Sequence, residues 1–151
     1  MRRETRDING NPNGYIVTLW NVHEQEWKPD QVYLTVVNPG CAKGPHLHGK
    51  RCGRFICIKG NVDLIKQYKE NDQTHYIYDR TGEDYDYRLI EVPAGVAAEL
   101  RNTGNEPALV INMPTPAWRP EDQDELPIDD WDPFEQPQRI DYKGRSVNET
   151  H

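Results

Sequence analysis

Apolar residues fall in short runs at 15–20, 32–37, 54–58, 62–67, 75–78, 87–92 and 108–113, with Gly, Pro, Asn or Asp recurring between them. Runs of this length, rich in Val, Ile and Tyr and bounded by turn formers, read as β-strands. The alternation is imperfect over 62–68, and no 3.6-residue apolar period persists beyond about ten residues. The pattern therefore predicts an all-β sandwich or barrel with little helix. Residues 1–14 are polar and end in Asn9-Gly10-Asn11-Pro12-Asn13-Gly14, a cluster of turn formers that predicts an arm or loop. From Pro114 onward the chain shifts to Pro, Asp, Glu and Trp. The expected division is an arm at 1–14, a barrel at 15–113, and a C-terminal segment at 114–151 that wraps the barrel or trails away.

Composition narrows this picture. The 151 residues suffice for one domain with a sizeable core, and twelve prolines with eleven glycines favour turns over long helices. A net charge of −7 argues against broad nucleic-acid contact, which needs a basic face. No run approaches the roughly 20 apolar residues of a membrane span, so a cytoplasmic protein with no membrane contact is expected. Cys41, Cys52 and Cys57 cannot all pair within one chain, and reduced thiols are the simpler account.

The densest chemistry lies in Gly40-Cys41-Ala42-Lys43-Gly44-Pro45-His46-Leu47-His48, followed by Arg51, Gly53 and Gly60. Period two on a strand would put His46 and His48 on one face. If that face lines a cavity, two imidazoles converge where a metal or a substrate can sit. Gly40, His46, His48 and Gly60 match the spacing of the first cupin motif, with Gly53 standing at its glutamate. Pro93, Gly95 and Asn102 match the second motif, with Ala98 at its histidine. Over 40–102 the chain thus resembles the cupin superfamily, which implies a jelly roll (double-stranded β-helix). A metal-binding cupin uses three histidines and a glutamate, and only the two histidines are kept. Cys57, two and four residues from Phe55 and Gly53, is read as a small buried residue on an inward face.

A narrower resemblance follows. Lys43-Gly44-Pro45-His46 is similar to the Arg-Gly-x-His turn of the nucleotide-sugar 3,5-epimerases that act on dTDP-4-keto-6-deoxy sugars. Extended to His48, the same segment resembles the signature of the dTDP-sugar 3,4-ketoisomerases. Val92-Pro93-Ala94-Gly95-Val96-Ala97, Pro120-Glu121 and Trp131-Asp132-Pro133 also resemble epimerase segments. The resemblance implies carbon-acid chemistry without a cofactor: His46 as base, with His48 and Lys43 stabilising an enolate. Histidine suits the task because it titrates near neutrality. Trp118 falls in the region where an epimerase has its acidic Tyr, so another group must supply that proton.

A nucleotide-sugar substrate carries a diphosphate, for which Arg51, Arg54 and Arg119 are the expected cations, Arg51 foremost. Tyr76 and Tyr78, with Tyr33 and Phe55, are expected either to stack on a base or sugar ring or to pack in the core. The acidic stretch 121–132 reads as a solvated face or a contact with a second subunit. Barrels of this kind resemble homodimers paired through N-terminal arms. Two other functions fit the residues: a metal-dependent, oxygenase-like cupin using His46 and His48, and a non-catalytic module that binds a sugar or nucleotide.

Overall fold

The computed structural model describes residues 2–133 and 140–141. The trailing end expected for the C-terminal segment therefore lies, from 142 onward, outside the described residues. Eleven strands carry the described fold: β1 Arg2–Arg6, β2 Pro12–Val17, β3 Tyr33–Val37, β4 Ala42–His46, β5 Gly53–Lys59, β6 Asn61–Glu70, β7 Gln73–Gly82, β8 Ile90–Val92, β9 Ala97–Arg101, β10 Ala108–Asn112 and β11 Ile140–Asp141. A 3₁₀ turn, Glu83–Tyr85, follows β7. Two sheets face each other in the orders β3-β10-β5-β8 and β11-β7-β6-β9-β4, and β1 pairs with β2 alone. The architecture is the expected all-β cupin jelly roll.

Strand alternation sets the inside. Val37, Cys57, Val62, Leu64, Ile90, Val92, Leu100, Ala108 and Val110 meet between the sheets as the main core. Partners in register keep to one face: Val110 lies opposite Cys57, and Leu64 opposite Leu100. The outward faces are covered as well. Ile56 and Met113 pack with Trp20 and Trp27 over the four-stranded sheet. Ile65, Tyr76 and Tyr78 pack with Trp131 over the five-stranded one.

Three expectations change. The residues read as an arm or loop form a hairpin, in which Arg2 pairs with Val17 and Glu4 with Tyr15. The turn cluster supplies its bend, where Asp7 accepts backbone hydrogens from Asn9 and Asn11. The run at 15–20 is strand only to Val17, because β2 starts inside that cluster. β4 and β9 lie outside the apolar runs that read as strands, although the histidine pair implies a strand at 46–48. Their sequences, Ala-Lys-Gly-Pro-His and Ala-Ala-Glu-Leu-Arg, lack β-branched residues, and pairing with each other and with β6 makes them strands.

Candidate active site

One end of the barrel is open. A cavity of about 180 Å³ enters between the sheets, with Phe55, Leu64, Val92 and Leu100 as its apolar lining. Tyr33, Thr35 and Asn112 line it from the four-stranded sheet, and Lys43, His46 and Ala98 from the five-stranded sheet. His48 and Arg51 join the lining from the turn after β4. Both imidazoles therefore reach the hollow, with ring centroids 6.1 Å apart and planes 21° from parallel.

The two histidines do not share one regular strand. β4 slips register against β9 between Lys43 and His46. Gly44 sits in this bulge at φ +100°, and a Cβ there would lie 2.9 Å from the Ala98 carbonyl oxygen. Only glycine fits such a bend at this spacing, and the bend aims His46 at the mouth. His46 ends the strand, while His48 bridges to Glu125 of the segment that follows the barrel.

That segment, read from sequence as a solvated acidic face or a subunit contact, is a strap laid beside the turn. Glu125 Oε1 lies 2.9 Å from His46 Nδ1. A carboxylate only accepts, so Nδ1 carries the proton and Nε2 is the basic nitrogen of the neutral ring. The Asp124 carbonyl oxygen lies 3.0 Å from His48 Nδ1. The same reasoning puts a proton on that Nδ1 and leaves Nε2 bare. Neutral His48 then has no proton for an oxyanion, and the enolate contact expected of it requires the imidazolium. The Asp124 carboxylate accepts from the backbone nitrogens of Gly49, Lys50 and Arg51 at 3.1, 2.8 and 2.9 Å. These contacts, Lys50 first, hold its carboxyl below the ordinary value against the opposing effect of burial.

Other expected site residues lie elsewhere. Tyr76 and Tyr78 are each 1% exposed and belong to the outward face of the five-stranded sheet, away from the cavity. The reason is parity: Tyr78 lies opposite Ile65, whereas the inward Leu64 lies opposite Asp79. The Tyr76 hydroxyl instead donates to the Asp130 carbonyl at 2.8 Å and accepts from Asp132 N at 2.7 Å. Arg54 also points outward. Its guanidinium stacks 4.1 Å from the Trp27 ring centre, pairs with Glu91 and donates to Thr115 Oγ1. Arg119 borders a separate hollow that shares Arg51 with the cavity. Trp118 lies beside Tyr33 in a third hollow.

Two cupin positions carry no metal donor in this lining. A Cβ on Gly53 would meet the Phe55 ring at 2.7 Å, so that ring crowds the place of the motif's glutamate. Ala98 presents only a methyl group where the second motif has its histidine. Among the described residues no three His, Cys, Asp or Glu side chains converge to hold a metal ion. Tyr33, expected to stack on a ring or to pack in the core, lines the cavity. Its hydroxyl accepts from Asn112 Nδ2 at 2.8 Å, on the wall opposite β4.

Two facing sheets, an open end and paired histidines at its mouth define a cupin-type barrel with its candidate site at one end. Residues 13–126 match the family model described as the polysaccharide biosynthesis C-terminal domain, and the chain belongs to that family. A probable low-salt glycan biosynthesis epimerase, Agl13 of Haloferax volcanii, is 29% identical over 136 residues, covering 83% of this chain and 86% of the relative. A dTDP sugar isomerase from Desulfovibrio desulfuricans superposes with a TM-score of 0.64 at 22% identity, over 85% of this chain and 82% of that one. The capsular polysaccharide assembling protein CapF of Staphylococcus aureus superposes at 0.57 with 20% identity over 66% of this chain. This chain spans 28% of CapF's length.

Proposed function

We propose that the protein is an isomerase of the sugar 3,5-epimerase or 3,4-ketoisomerase type, acting without a cofactor on a nucleotide-linked keto-sugar in glycan or polysaccharide synthesis. The observation that carries this reading is the His46–Glu125 pair at the mouth of the cavity. His46 Nε2 takes the proton from the carbon beside the ketone, leaving the electron pair in an enolate. Glu125 faces the positive charge the ring then acquires and keeps its tautomer fixed. The proton returns to carbon from the same face, or a different group supplies one from the other side.

Tyr33 is the candidate for that second group. It replaces the acidic Tyr that Trp118 cannot imitate, and accepting from Asn112 leaves its own O–H free to donate. Lys43 lines the same wall as His46 and places a cation near the reacting oxygen. The sugar ring rests on Phe55, Leu64 and Leu100. The names of the archaeal epimerase and of the dTDP sugar isomerase agree with this substrate class. We propose a homodimer as the working unit, with the exposed apolar outer face of β3 covered by a second copy.

The test is incubation with nucleotide-linked 4-keto sugars in deuterium oxide. The wild type incorporates deuterium beside the ketone, and His46→Ala slows exchange by about 10²-fold or more, the usual contribution of a positioned base. Full exchange in His46→Ala overturns the assignment.

A further inference from the structure

Arg51 is 5% exposed, yet no described carboxylate lies within ion-pair distance of its guanidinium. Its buried Nε has no hydrogen-bond partner. One contact looks like compensation: Nη1 lies 3.4 Å from His48 Nδ1. The shorter contact decides otherwise. Nδ1 donates to the Asp124 carbonyl at 3.0 Å, so Arg51 Nη1 faces a second donor and gains nothing from it. Asp124, on the strap beside this turn, spends its carboxylate on three backbone N–H groups, including that of Arg51 itself. An arginine cannot escape by losing its proton, as a buried lysine does. The fold therefore holds a nearly buried charge that no described carboxylate balances, in a wall shared by two hollows.

Two sides of Arg51 are open to a ligand. The outer hollow sets Lys50, Arg51 and Arg119 against Asp30, Glu121, Asp122 and Asp124, so its acids outnumber its cations and disfavour an anionic ligand there. The inner side is the cavity, where the apolar floor leaves Lys43 and Arg51 as the cationic lining. Of the two, Lys43 is exposed and Arg51 is buried, and a cation held fixed beside an apolar wall stabilises a negative charge created there without reorganising.

We infer that Arg51 is a catalytic residue that holds the enolate oxygen, rather than a ligand of the diphosphate. The inference rests on the proposed isomerase reading and goes beyond it, since the sequence places Arg51 on the phosphate. It also accounts for His48. With a bare Nε2, that ring accepts protons and does not serve as the oxyanion donor.

The experiment compares wild type, Arg51→Gln and Arg51→Lys in three measurements. These are melting of the free protein, binding of the nucleoside diphosphate alone, and deuterium exchange on a saturating keto-sugar nucleotide. The expected result for Arg51→Gln is a melting temperature at or above wild type, because an uncompensated charge has been removed. Its nucleoside diphosphate affinity stays within about threefold, while kcat for exchange falls by about 10²-fold or more. Arg51→Lys restores part of kcat. A large loss of nucleoside diphosphate affinity with kcat intact would return Arg51 to the diphosphate and overturn the inference. So would a sharp drop in melting temperature, which marks a structural arginine. Should the wild type itself exchange no keto-sugar, the isomerase reading falls and takes this one with it. That outcome is distinguishable because it precedes any comparison of variants.

Discussion

Asp124 and Glu125 are adjacent on the strap and serve different parts of the turn at 46–51. Glu125 fixes one ring, whereas Asp124 gathers three backbone hydrogens and fixes the loop that carries Arg51. Because those hydrogens favour the charged form, the Asp124 carboxyl lies below its ordinary value of 3.8. A depressed acid stabilises the fold fully above the ordinary value, and that contribution is lost as pH falls through the folded value. Asp124→Asn should therefore lower the melting temperature by a few degrees at neutral pH. The gap to wild type should close as pH drops below about 4. A gap that stays constant from pH 7 to pH 3 in thermal melts would show that the charge is irrelevant to the turn. His46 and His48 were legible from the sequence because their signal is local, two residues apart inside a glycine framework. Their partners were not. Asp124 meets His48 across 76 positions, and the only trace of it is an acidic run that looks like solvated surface.

At the level of elements, the strap is held at a second point, far from the histidines. The Trp131 ring meets Tyr76 edge-on at 5.3 Å, and its Nε1 donates to Glu99 Oε2 at 2.9 Å. Gln67 Nε2 donates to the carbonyls of Asp129 and Asp130. The outward face of β6, β7 and β9 is thus a dock for the chain that delivers Asp124 and Glu125. Trp131→Ala should cost about 2–3 kcal/mol in urea unfolding, less than a fully buried Trp because the ring is only half-buried. It should also reduce deuterium exchange several-fold without touching the cavity. Unchanged exchange would separate the dock from the site. Sequence parity could not assign this face. Residues 62–67 do not alternate cleanly, since both faces of β6 are buried and inward Leu64 is followed by outward, fully covered Ile65. Tyr76 and Tyr78 were consequently open to a binding role that their neighbours in the strand ladder assign to the dock.

Across the whole molecule, the two sheets are not equally covered. The strap shields the five-stranded sheet, and Trp20 with Trp27 shield part of the four-stranded one. Coverage stops at β3, whose outward residues Leu34 and Val36 remain 53% and 43% exposed beside Val32. β3 is also a sheet edge, with its other ladder side unpaired among the described strands. The hairpin adds exposed Tyr15 and Ile16. Edges and apolar faces of this kind invite another chain, and in a working enzyme they must be covered or made unattractive. The arm expected at 1–14 and the pairing of copies through it thus become one proposal, in which hairpin and β3 face meet their counterparts in a second copy. Leu34→Glu places a charge in the centre of that face while leaving the cavity lining untouched, since Leu34 and the inward Tyr33 point to opposite sides. Sedimentation equilibrium at tens of micromolar should give twice the chain mass for wild type and one chain mass for Leu34→Glu. A wild type that sediments as a single chain at that concentration would leave the exposed band as ordinary surface, and the homodimer would have to be abandoned.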